Sequence, residues 1–147
     1  MRVSAPKSLL ELLLSVVAGL TLIVCTLGAA ILAPAAAAEK FDCVTENSLE
    51  KMFAPEAALE EFSCSFEKYE GADTLHFHVT VKNISSQPQR FRVNIFLDNG
   101  KAVGGLIPRT TKEGLIEPGK TGSFVYPVMQ MAEKPQAVTV KVSTVSP

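Results

Sequence analysis

The chain has no tryptophan, only two histidines and only three cysteines among its 147 residues. Each scarcity closes a route. Without tryptophan there is no Cys…Trp…Cys signature of an antibody domain. With histidine confined to His76 and His78, serine catalysis would have to run through one of them, and no G-x-S-x-G turn accompanies the pair. Charge of one sign is missing too: 14 basic residues stand against 15 acidic ones, a net of −1. Arg2, Lys7 and Glu11 fall in the N-terminal leader, and the remainder stays close to neutral. No basic block is available to neutralise a row of phosphates, which disfavours nucleic acid as a partner. Gly104-Gly105 lacks the Lys and Ser/Thr of a phosphate loop.

What is present begins with that leader. Arg2 and Lys7 make a positive tip, no charged residue occurs from Leu12 to Leu32, and Pro34 follows. Ala36-Ala37-Ala38 then offers small side chains where a signal peptidase inspects them, which predicts cleavage before Glu39. A retained membrane anchor is the alternative, because the apolar run is long enough to span hydrocarbon. Either way the positive tip stays inside and the domain ends outside. The reading is residues 1–38 as signal peptide or anchor, placing the domain in the periplasm or on the outer face of the cytoplasmic membrane. Cys25 follows bulky Val24, which argues against a lipid attachment site.

Past the leader only Cys43 and Cys64 remain. An even count in an exported domain reads as one disulfide. Closing that loop stabilises by roughly 3 kcal/mol in the chain-entropy model. Free thiols or a metal pair are the alternatives, and the spacing is far from C-x-x-C. Between the cysteines, Asn47 with Glu50 resembles a capping box, and Leu49, Met52 and Phe53 share a helical face. Ala57, Ala58 and Leu59 could add a turn beyond Pro55. Residues 39–60 are therefore expected to form a short helical segment packed on the remainder, residues 61–147.

From Phe62 the period changes. Phe62, Cys64 and Phe66 alternate with Ser63, Ser65 and Glu67, which is strand spacing. Leu75, Phe77, Val79 and Val81 alternate with His76, His78, Thr80 and Lys82, a strand with one face in a core and one in water. Turn chemistry fills Asn83 to Pro88. Phe91, Val93, Ile95 and Leu97 alternate with Arg92, Asn94 and Phe96. Asp98-Asn99-Gly100 marks a hairpin, with Asn-Gly supplying positive φ. Lys101 to Ile107 returns as a weaker strand loosened by its glycines. Glu117-Pro118-Gly119-Lys120 is a further turn, and Ser123 to Met129 and Ala137 to Val145 complete the set. Six or seven short strands with no second helical pattern indicate an all-β, antiparallel β-sandwich of immunoglobulin-like type.

The run His78-Val79-Thr80-Val81-Lys82-Asn83-Ile84-Ser85, then Phe91 to Asp98 with Gly100-Lys101, then Ile116-Glu117-Pro118-Gly119-Lys120 before Phe124, resembles bacterial exported immunoglobulin-like domains of the FxLyD type. The resemblance covers about Phe62 to Val145. It implies the sandwich and carries no catalytic residues, because such sandwiches host many roles.

Few constellations remain. His76 and His78 at i and i+2 share a strand side, expected to face solvent. Met129 and Met131 form a second pair, and imidazoles with soft thioethers would suit copper. Glu60, Glu61, Glu67 and Glu70 read as solvated charges. Asn83-Ile84-Ser85 matches a glycosylation sequon, though a turn accounts for it. The leading expectation is a non-enzymatic binding or structural module without a cofactor. It would engage a protein or cell-envelope component through an exposed strand edge or loops. A copper-handling protein using His76, His78, Met129 and Met131 comes second and a small hydrolase third.

Overall fold

Period-two alternation builds the two layers of this protein. The computed structural model describes residues 38–145 except 111 and 113, so the leader up to residue 37 lies outside the described residues. Seven strands follow in chain order: β1 (Leu49–Phe53), β2 (Ala57–Tyr69), β3 (Ala72–Asn83), β4 (Arg90–Leu97), β5 (Ala102–Ile107), β6 (Thr121–Val128) and β7 (Val138–Val145). One sheet has the order β1-β7-β4-β5 and the other β2-β3-β6. Every pairing is antiparallel except that of β1 with β7. The expected all-β sandwich is present.

The core lies where the sequence alternation points. Leu75, Phe77, Val79 and Val81 of β3 are buried, and Phe77 stands between Cys64 of β2 and Tyr126 of β6. From the other sheet, Phe91, Val93, Ile95 and Leu97 of β4 meet Val138, Val140 and Val142 of β7 in the same interior. Each such large side chain contributes roughly 1.5–3 kcal/mol on leaving water.

The expected helical segment is a correction. Its helical part is one 3-10 turn, Glu46–Ser48, and Leu49–Phe53 is strand β1. Ala57 to Leu59, assigned above to a further helical turn, already belong to β2. The physical reason is that i and i+4 coincide in both periods. Leu49 and Phe53 share a side on a strand as they do on a helix, and Lys51 between them completes the strand face. That face registers with Val138, Val140 and Val142 of β7. Met52, expected to join Leu49 and Phe53, is instead exposed. No capping box forms: the Glu50 carboxylate accepts from Thr139 Oγ1 at 2.9 Å. Pairing with β7 satisfies the backbone groups that a helix would have satisfied internally.

The disulfide Cys43–Cys64 is formed, with a Cα–Cα distance of 5.0 Å. Beside it Phe41 and Cys64 exchange backbone hydrogen bonds of 2.8 Å in each direction, tying the segment before β1 to the edge of β2.

Turns follow local chemistry. In the β4–β5 hairpin only Gly100 takes positive φ, at 79°, and Asn99 Oδ1 accepts the Lys101 N–H at 3.0 Å. Asn-Gly therefore supplies one left-handed residue here, and the loop is longer than a two-residue turn. Asn83, read from sequence as part of a turn, is fully buried. Its Nδ2 donates to the carbonyls of Gln87 and Ile116 at 2.7 and 2.8 Å, and its Oδ1 accepts from Ser85 N and Oγ at 2.9 and 2.7 Å. Its backbone also bonds Lys120 O and Gly119 N. One side chain thus joins the end of β3 to the turn before β6.

Candidate functional site

Among the described residues, the outer face of the three-stranded sheet carries a connected set of polar side chains. β3 is the central strand, so its outward residues are flanked on both sides. Ser65 of β2 lies opposite His76, and Pro127 of β6 lies on the other side. As a result His76 is 6% exposed. The solvent-facing expectation is corrected here. The parity was right, since both histidines oppose the core face. A bulky ring between two neighbouring strands is nevertheless covered, here with Tyr69 edge-on at 6.0 Å.

His76 Nδ1 pairs with the Thr74 carbonyl at 2.9 Å. His78 Nε2 lies 2.7 Å from Ser65 Oγ and 3.5 Å from Glu67 Oε1, while Ser65 Oγ donates to Glu67 at 2.6 Å. Burial holds the His78 imidazole below its usual pKa, and the Lys40 charge adds to that, against the opposing pull of Glu67 and Glu61. Further along the face, Glu61 accepts from Lys40 at 2.6 Å, Ser63 at 2.9 Å and Thr80 at 3.3 Å. The Lys40 and Ser63 hydrogen bonds lower the Glu61 pKa. Thr80 and Ser123 share a hydrogen bond of 2.9 Å, which carries the network onto β6.

Serine, histidine and carboxylate meet here in an order unlike a catalytic triad. Ser65 stands between the other two instead of at the end, and its hydroxyl belongs to a residue with no exposed surface. The buried Ser65 hydroxyl links a partly covered imidazole to a partly exposed carboxylate and is not itself an open nucleophile.

The proposed copper ligands separate. Met131 is buried in the core, takes the Leu75 N–H on its carbonyl at 2.7 Å and receives Asn99 Nδ2 at its sulfur at 3.7 Å. Met129 is exposed on the turn after β6, and the two imidazoles stand on the outer face. Among the described residues no group of three or more His, Cys, Asp or Glu side chains could hold a metal ion.

Shallow depressions lie elsewhere among the described residues. One, about 630 Å³, runs along the disulfide segment between Leu49, Lys51, Phe62 and Lys134. A second, about 440 Å³, lies near Pro108, where Arg109 covers the Phe124 ring at 5.5 Å. A third, about 420 Å³, lies over Gly104 and Gly105, walled by Phe96, Arg92 and Asn94. Phe96 is 47% exposed there, on the outer face of the four-stranded sheet beside edge strand β5. Sequence inspection gave this region no role, although a phenylalanine at a polar parity position, between Arg92 and Asn94 on one side and a glycine-rich strand on the other, was the available signal.

No family model, curated protein or solved structure matches this chain. The likeness to FxLyD-type domains therefore rests on the motifs quoted above.

Proposed function

We propose that this chain is an exported, immunoglobulin-like, non-enzymatic binding or structural module that engages a protein or envelope partner through a strand edge. The immunoglobulin-like assignment is supported by strand order. β2-β3-β6 and β5-β4-β7 follow strands A-B-E and C′-C-F of such sandwiches, with β1 lying where strand G would, although parallel. Export is supported by the leader and by the Cys43–Cys64 disulfide, a bond that persists in oxidising compartments.

The observation that carries the binding role is the edge of β5, unpaired among the described residues, with exposed Phe96 beside it. Unpaired strand groups next to an aromatic anchor are the ingredients of recognition by strand addition. The test places a photoreactive aromatic amino acid at Phe96 in living cells. A discrete adduct is expected on illumination, absent when the probe stands at exposed Ile84 on another loop. Failure to form any adduct from position 96 overturns this reading.

A further inference from the structure

Two strand edges bound each sheet: β1 and β5 in one, β2 and β6 in the other. An open edge is a template for another strand, and proteins guard edges with charge, proline, irregularity or a covering segment. β1 carries Glu50 and Lys51 within the strand. β6 contains Pro127. β2 breaks register between Leu59 and Glu61 and is bridged by Phe41 at Cys64. β5, with the sequence Ala-Val-Gly-Gly-Leu-Ile, has no charge, no proline and no break in register.

The ladder fixes which groups β5 presents. Leu97 donates its N–H to the Lys101 carbonyl at 2.9 Å, which starts the hairpin. From that pair the antiparallel alternation turns Val103 and Gly105 toward β4, and turns the N–H and C=O of Ala102, Gly104 and Leu106 toward the free edge. The side chains of Ala102 and Leu106 lie on the outer face, Ala102 opposite Phe96 and Leu106 opposite Arg92. Gly104 has no side chain there, and a Cβ would collide with the Val93 carbonyl.

We infer that β5 is a self-association edge: a second copy of this chain adds its own β5 antiparallel, with Gly104 facing Gly104 on a two-fold axis. The inference rests on the strand-edge reading above and names the occupant. A two-fold contact requires a patch complementary to itself. An uncharged strand meets its copy without opposing like charges. In this register Ala102 faces Leu106 of the second copy, small against large, and symmetry repeats the fit. The outward donors and acceptors of both strands then pair. Phe96 leans over the small Ala102 onto the Leu106 of the second copy. Lys101, next to the strand, has its ammonium held by the Met129 carbonyl at 2.8 Å, and Arg92, opposite Leu106, stands one strand in from the edge.

Sedimentation velocity of the purified full chain, over a range of concentrations, tests this. Wild type is expected to show a monomer–dimer equilibrium. Ala102→Pro removes an outward N–H while sparing the ladder to β4, and Ala102→Lys guards the edge with charge. Each should raise the dimer dissociation constant roughly tenfold or more. Ala102 is exposed, and an intact disulfide with an unchanged circular dichroism spectrum establishes that both variants fold. A wild type that stays monomeric at the highest concentration attained overturns the inference, as does a dimer that neither variant weakens. If the chain is monomeric while the probe at Phe96 captures a different protein in cells, self-pairing fails and the strand-edge reading stands. If there is neither dimer nor adduct, both fail.

Discussion

Tyr126 is nearly fully buried and its hydroxyl has no hydrogen-bond partner among the described residues. Burial raises its pKa, so the group stays neutral. An unpaired buried hydroxyl costs about 1–3 kcal/mol. Tyr126→Phe is therefore expected to hold or raise the denaturant midpoint; a loss above about 1 kcal/mol would mean that the hydroxyl bonds an ordered water. His78 behaves differently, through pH. Its folded pKa lies below the usual 6.5, so the unfolded chain takes up the proton first as pH falls. Stability is whole above that value and declines as pH drops from there through the lower folded pKa. The paired Glu61 carboxylate acts in the same direction only below 4.5. His78→Gln should thus flatten the loss of stability as pH falls through and below 6.5, read from denaturant midpoints at each pH. An unchanged slope would assign the acid sensitivity to another group.

At the level of elements, Asn83 is the clearest junction. It satisfies the end of β3, the Ser85–Gln87 turn and the strand-like pair at Gln89 and Ile116 through one amide. Replacing it with alanine removes four side-chain hydrogen bonds at a buried position, while the Gln87 and Ile116 carbonyls keep Ser85 Oγ and the Gln89 N–H, and should cost about 2–4 kcal/mol by thermal or denaturant melts. A cost near zero would show that the loop carries itself. The Asn-x-Ser pattern was visible in the sequence, but only the structure shows that Asn83 faces inward, because turn residues and buried polar hubs draw on the same side chains. The β3 and β4 alternations were legible outright, since strands with one wet and one dry face leave no other period. Leu49 to Phe53 was not, because five residues with apolar ends fit helix and strand alike and tertiary pairing decided. Met131 was also out of reach: nothing local distinguishes a core methionine from the exposed Met129 two positions earlier. The candidate site was legible by half. The parity of the histidines could be read, whereas their cover depends on Tyr69 and Pro127, which strand pairing brings in from other elements.

For the whole molecule, the Cys43–Cys64 disulfide fits the oxidising, extracytoplasmic compartment proposed above. If Ala36 to Ala38 is a processing site, the exported chain begins at Glu39, and intact mass of soluble and membrane fractions should find that species. A full-length form confined to membranes would instead mean a retained anchor. The staple has a mechanical consequence as well. Tension applied to the chain at Ala38 travels only as far as Cys43 before the sulfur–sulfur bond hands it to Cys64, in the middle of β2. The residues between the two cysteines, β1 among them, form a slack loop that bears no load. With the bond reduced, the same pull breaks the Phe41–Cys64 bridge and then loads the pairing of β1 with β7, a ladder only five residues long. The disulfide is thus a load-bypass, and the oxidation state of one bond decides whether a tugged domain yields at its weakest strand or holds through its core.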